Sequence, residues 1–186
     1  EYKGGEDIIS NASCTTNCVA PIAAILHSMI GIKKAIMSTV HAVTASQELT
    51  DGSGKDLRRA RSAFNIVPTT TGAAIATTKA VKELEGLFDG LALRVPVLCG
   101  SIADMTFVAA KPTTVEEINQ IFKDAAADPK WKNIVAVTAE PLVSSDVIGR
   151  PESAIVDLSF TRVVDGDLVK IMAWYDNEWG YAMRLV

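Results

Sequence analysis

The feature that most constrains this chain is the way its strand-forming runs are joined. Residues 154–164 and 168–175 are two runs rich in Val, Ile and Leu, linked through Asp165-Gly166, the chemistry of a hairpin turn. Elsewhere strand-like runs at 34–43, 91–97, 102–110 and 134–138 occur among helical patterns. Strands that come both in hairpins and between helices predict an α+β fold. The expected architecture is a mixed, mainly antiparallel sheet with about three helices packed on one face. The first helix is predicted from Cys14 to about Met29, with Pro21 tolerated only in its first turns or at a kink. The second opens at Thr71-Gly72 and runs to about Leu84, with Gly86 as terminator. The third starts at Thr114-Val115-Glu116-Glu117, a capping box, and repeats apolar residues at Val115, Ile118, Ile121, Phe122 and Ala125. Residues 7–12 read as a short strand and capping turn. Residues 45–63 read as a long irregular loop, a length usually reserved for function or mobility.

Composition narrows the function classes. A chain of 186 residues with 48% hydrophobic and 22% charged residues is globular and suffices for one domain with a real core. A net charge of −4, with only the short run Arg58-Arg59-Ala60-Arg61 against it, argues against a nucleic-acid partner. No apolar run approaches the ~20 residues of a membrane span. Three cysteines without disulfide-style spacing fit a reducing, cytoplasmic setting. The start at Glu1-Tyr2-Lys3 and the end at Leu185-Val186 suggest a piece of a longer protein.

The segment Ser13-Cys14-Thr15-Thr16-Asn17-Cys18 carries the chemistry. It places a thiol where free backbone N–H groups and the helix dipole favour an anion. There Cys14 is expected to ionise more readily than an ordinary thiol. The competing reading makes Cys14 and Cys18 core cysteines one helical turn apart. His41, one helix and one returning strand later, can reach Cys14, and a thiolate–imidazolium pair between them would make the thiol reactive at neutral pH; the competing reading is a satisfied core histidine. A metal site on Cys14, Cys18 and His41 is not expected, because no second Cys or His cluster supports it. Thr44, Arg94 and the run Thr69-Thr70-Thr71-Gly72 suit an oxyanion if they converge, and are otherwise caps and solvated arginines.

These segments, in order, resemble the catalytic C-terminal domain of the glyceraldehyde-3-phosphate dehydrogenase family: SNASCTTNC, STVHAVTASQ, KDLRRAR, NIVPTTTGAA, ALRVPV and WYDNEWGYA. The resemblance covers the whole chain and implies that residues 1–186 are a catalytic domain. It also implies that the family's N-terminal dinucleotide-binding domain and the end of its last helix lie outside the sequence. Cys14 then matches the nucleophile and His41 the residue that activates it. Thr44 and Arg94 match the pocket for the substrate's phosphate. Ser13, Thr15, Thr71 and Gly72 match the pocket for attacking phosphate, with Arg59 nearby. Asn177 matches the residue that holds the nicotinamide carboxamide, and Tyr175 is expected to line the same site. The implied reaction is oxidative phosphorylation of glyceraldehyde 3-phosphate through a cysteine thioester. It uses NAD, or NADP, and inorganic phosphate, in a homotetramer when full-length. Erythrose-4-phosphate dehydrogenase shares these motifs. A coenzyme-independent thiol hydrolase or acyltransferase would need only Cys14 and His41, and would leave WYDNEWGY without a task. Three positions depart from the family pattern: Ile75 where the family commonly has Lys, the Cys99-Gly100-Ser101 turn, and the loop 51–55.

Overall fold

Helix α1 begins where its first free N–H groups find a cap. Ser13, in extended conformation, accepts a hydrogen bond from the Thr16 N–H, and the helix runs Cys14–Met29. Cys18, Val19, Ile22, Ala23 and Leu26 are fully buried, spaced to form one face against the sheet. Pro21 lies inside the helix, beyond its first turn, and is buried against this core. The computed structural model describes residues 4–5, 7–50, 56–61 and 64–186, the Arg59 side chain excepted.

The strands are β1 (Ile32–His41), β2 (Val67–Thr70), β3 (Phe88–Arg94), β4 (Ser101–Ala109), β5 (Val135–Thr138), β6 (Ala154–Asp157), β7 (Arg162–Val164) and β8 (Leu168–Tyr175). They form one sheet in the order β2-β3-β1-β4-β8-β6-β5, with β7 added to β8. Two pairs are parallel, β1 with β3 and β5 with β6; the others are antiparallel. The expected α+β class holds. A parallel pair needs a crossover, and α2 (Ala73–Ala80) lies on the connection from β1 to β3. α1, α2 and α3 (Val115–Ala127) cover the face carrying Met37, Thr39, Met105, Phe107 and Ile171. A short α4 (Trp179–Ala182) follows β8.

Several elements differ from the sequence expectations. Residues 7–12 form no strand: Ile8 is 92% exposed, and no neighbouring strand supplies the ladder that would hold the run. The second helix is shorter than expected, breaking at Val81 before a 3₁₀ turn at Lys82–Leu84. The run 154–164 is interrupted by another 3₁₀ turn, Leu158–Phe160, where Asp157 accepts from the Ser159 N–H and hydroxyl. β2 was not anticipated, because Pro68 reads as a strand breaker; as an edge strand it tolerates the missing N–H.

One turn demands glycine. Gly100 adopts φ +91°, and a Cβ there would lie 2.1 Å from the Ser144 carbonyl oxygen. Its N–H donates to Asn177 Oδ1 at 3.0 Å, fixing the C-terminal segment to the start of β4. Gly100→Ala is expected to cost roughly 1–3 kcal/mol, the usual scale of a disfavoured backbone conformation. A chemical denaturation curve with an unchanged midpoint would contradict this.

Candidate active site

The parallel pairing of β1 with β3 sets His41 directly beside Arg94, both at the C-terminal ends of their strands. α1 precedes β1 and runs back across the sheet, so its first residue returns to this same end. Cys14 Sγ lies 3.3 Å from His41 Nε2. Around them a cleft of about 330 Å³ is lined by Ser13, Cys14, Thr15, His41, Thr44, Thr71, Gly72 and Arg94, together with Ala12, Thr16, Ala73 and Ala76. The first eight are residues singled out from the sequence, and the fold brings them to one cavity.

Hydrogen bonds fix the imidazole. His41 Nδ1 sits 2.7 Å from the Ala42 carbonyl oxygen, which assigns the proton to Nδ1 and turns the Nε2 lone pair toward Cys14. Arg94 Nη1 donates to the same carbonyl at 3.3 Å and contacts His41 Nδ1. Behind the pair, Tyr175 meets the His41 ring edge-on at 6.0 Å between centroids. Its hydroxyl bridges Thr15 Oγ1 at 2.9 Å and Thr39 Oγ1 at 2.7 Å.

The electrostatics correct one expectation. Burial pushes the Cys14 thiol up from its ordinary value, against the Thr15 N–H and hydroxyl and the Arg94 charge, which pull it down. Burial pushes His41 down to about 4, with the Arg94 charge adding to it and the Ala42 bond opposing. Both shifts favour the uncharged pair, in which the thiol donates to Nε2. Desolvation therefore outweighs the helix start, and the thiolate must form by passing its proton to His41. The other cysteines are less available. Cys18 is fully buried, with its thiol pushed far up by that burial. Cys99 donates to Asp176 Oδ1 at 3.3 Å, and burial together with this carboxylate pushes its thiol up to about 11.

The oxyanion candidates come from two parts of the fold, Thr44 just past β1 with Arg94 at the end of β3, and the start of α2 at Thr71-Gly72. Thr44 donates its hydroxyl to Gln47 Oε1 at 3.0 Å and its N–H to the same oxygen at 2.6 Å, so Gln47, 2% exposed, orients it. Gln47 was missed in the sequence, where it looks like an ordinary loop residue. Gly72 caps α2 without a side-chain bond, leaving the first turn of that helix facing the cleft, and Thr71 Oγ1 accepts from the Ala73 N–H. Thr15 lines the cleft, but its hydroxyl is turned to Tyr175. Ile75 is 62% exposed and does not line the cleft, so this departure from the family pattern lies off the site. The Arg59 side chain and the loop 51–55 lie outside the described residues.

The two residues expected near the nicotinamide are placed differently from the rest. Asn177 is not among those that line the cleft, and it is 4% exposed. Its Oδ1 accepts from Gly100 N–H and Ser101 Oγ, and its Nδ2 donates to Glu178. One amide hydrogen is left among the described contacts, which fits donation to a carboxamide oxygen. Tyr175, expected beside it, is 1% exposed, with its hydroxyl held by two threonines, and lies beneath the Cys14–His41 pair. Among the described residues no group of His, Cys, Asp and Glu could hold a metal ion. None of their helices is long and apolar enough to cross a membrane.

Residues 13–177 match the family model described as glyceraldehyde 3-phosphate dehydrogenase, C-terminal domain. Among curated proteins, the glyceraldehyde-3-phosphate dehydrogenase of Mycobacterium leprae is 51% identical over 187 residues, covering all of this chain and 55% of the relative. That of Streptomyces coelicolor is 52% identical over 180 residues, covering 96% of this chain and 54% of the relative. The chain thus spans about half the length of the curated relatives it matches.

Proposed function

The chain belongs to the glyceraldehyde-3-phosphate dehydrogenase family, and from that premise we propose that residues 1–186 act as the catalytic domain of an enzyme that oxidises glyceraldehyde 3-phosphate to 1,3-bisphosphoglycerate. The observation that carries the reading is the Cys14–His41 contact at 3.3 Å in a cleft that also holds Arg94, Thr44 and the start of α2. A nucleophile, its base and two sets of anion-binding groups are what an aldehyde with one phosphate needs, with a second phosphate arriving later.

Cys14 Sγ attacks the aldehyde carbon while its proton moves to His41 Nε2. The resulting oxyanion accepts from the Cys14 backbone N–H and from His41 Nε2–H. Arg94 and Thr44 hold the substrate's phosphate. His41 Nε2 returns its proton to the oxyanion, giving the hemithioacetal hydroxyl, and takes it back when the hemithioacetal is oxidised, so that a thioester remains on Cys14. A bound nicotinamide dinucleotide, NAD in the first instance and NADP as the alternative, supplies the hydride acceptor. Asn177 Nδ2 is the group in this chain suited to its carboxamide. Inorganic phosphate, held by Ser13, Thr71 and Gly72, attacks the thioester carbonyl and releases the acyl phosphate with Cys14 as leaving group. Cytoplasmic location and a homotetramer accompany this reading. Ile36, Leu91 and Leu168, exposed on the sheet face away from the helices, support assembly.

The test needs no coenzyme. Run backwards, the last step should let 1,3-bisphosphoglycerate acylate Cys14 and release phosphate, and the acyl group should return only when phosphate is added. Mass spectrometry should find the adduct on the Cys14 peptide, absent in Cys14→Ser. Rapid loss of the adduct to water without added phosphate would favour the hydrolase reading, and acylation elsewhere would overturn both.

A further inference from the structure

The residue before the cap of α1 is in an unusual conformation. Ala12 has φ +59°, a left-handed backbone that costs a non-glycine residue free energy. Its side chain is exposed, so packing does not hold it there. The carbonyls on either side of it are held instead. Asn17 Nδ2 donates to the Asn11 oxygen at 2.7 Å and to the Ser13 oxygen at 3.0 Å. Both hydrogens of one side-chain amide thus straddle Ala12. Two weaker ties assist: the Ala12 N–H donates to Ser10 Oγ at 3.1 Å, and Asn11 Nδ2 donates to the Tyr181 carbonyl of α4 at 3.0 Å.

We propose that Asn17 is a positioning residue for the Cys14 thiol, its side-chain amide clamping the left-handed turn at Ala12. The turn sets the direction in which the chain enters α1, and therefore where the first helical residue points its side chain. Asn17 sits one helical turn past Ser13, on the side of α1 from which its short amide reaches both carbonyls. Without the clamp, Ala12 relaxes toward ordinary backbone, Ser13 loses its capping geometry, and Cys14 Sγ leaves His41 Nε2. The proposal rests on reading Cys14 as the nucleophile.

The experiment measures the rate at which iodoacetamide alkylates Cys14, mapped by peptide, in the chain as it stands. Asn17→Ala should slow it about tenfold, within the range that a left-handed non-glycine residue costs. Glycine takes φ +59° without strain, so Ala12→Gly combined with Asn17→Ala should recover to within roughly twofold of Ala12→Gly alone. In the Asn17→Ala background, adding His41→Asn should slow the reaction less than it does in the parent, because the pair is already apart. An unchanged rate in Asn17→Ala overturns the clamp, and so does a folded double variant as slow as Asn17→Ala. If Asn17→Ala does not fold, the double variant decides: folded with a near-parental rate supports the clamp, and unfolded overturns it in favour of a general structural role. Alkylation of Cys18 or Cys99 ahead of Cys14 in the parent chain would instead remove the nucleophile assignment.

Discussion

Limiting iodoacetamide is expected to label Cys14 first, and His41→Asn to slow that labelling about a hundredfold at neutral pH, the lower end of what a positioned general base contributes. The reason lies in the uncharged pair. Burial pushes the Cys14 thiol up, so at neutral pH almost none of it ionises unaided. His41 Nε2, 3.3 Å away, takes the proton as the sulfur attacks. Burial pushes His41 down to about 4, so its lone pair stays free through the neutral and mildly acid range. The sign of the pH dependence follows. The parent chain should keep its advantage over His41→Asn as pH falls, until His41 protonates near about 4. The variant should catch up only in alkali, once the thiol ionises without help. Cys18 is sealed in the core and Cys99 is tied to Asp176, so neither should compete. Equal rates for the parent and His41→Asn at neutral pH would leave the base without a role.

The second large effect is expected at Arg94. Glyceraldehyde 3-phosphate should shield Cys14 from alkylation at far lower concentration than unphosphorylated glyceraldehyde. Arg94→Ala should narrow that gap by about tenfold or more, since a charge-assisted hydrogen bond is worth about 1.5–3 kcal/mol. Arg94 also contacts His41 Nδ1 and donates to the Ala42 carbonyl, so its loss can disturb the base as well as the phosphate pocket. The comparison separates the two. A disturbed base weakens shielding by both aldehydes alike, whereas a lost phosphate contact weakens only the phosphorylated one. Equal weakening would therefore move Arg94 from substrate binding to the support of His41.

Much of this was legible in the chain, and the parts that were not share a cause. The helix start at Cys14, the start of α3 at Thr114, the period of α3 and the turn at Asp165-Gly166 are short-range signals. Each is decided by residues within a turn or two, so the sequence alone determined them, and with them Cys14 at the first position of a helix. Composition and the mix of hairpins with helix-separated strands determined the α+β class. Strand neighbours were another matter. That β1 lies between β3 and β4, with β3 parallel to it, depends on contacts across tens of residues, and it is this pairing that sets Arg94 against His41. The run at 7–12 has strand-like residues but no partner, and pairing is what makes a strand. Tyr175 looked like a ligand-facing aromatic, yet the fold closes over it and hands its hydroxyl to Thr15 and Thr39. Most plainly, the sequence placed a thiol at a helix start, where backbone dipoles favour the thiolate. Only the tertiary structure decided that the thiol rests uncharged, because desolvation is set by all the chain segments that pack around an atom and not by its neighbours in sequence.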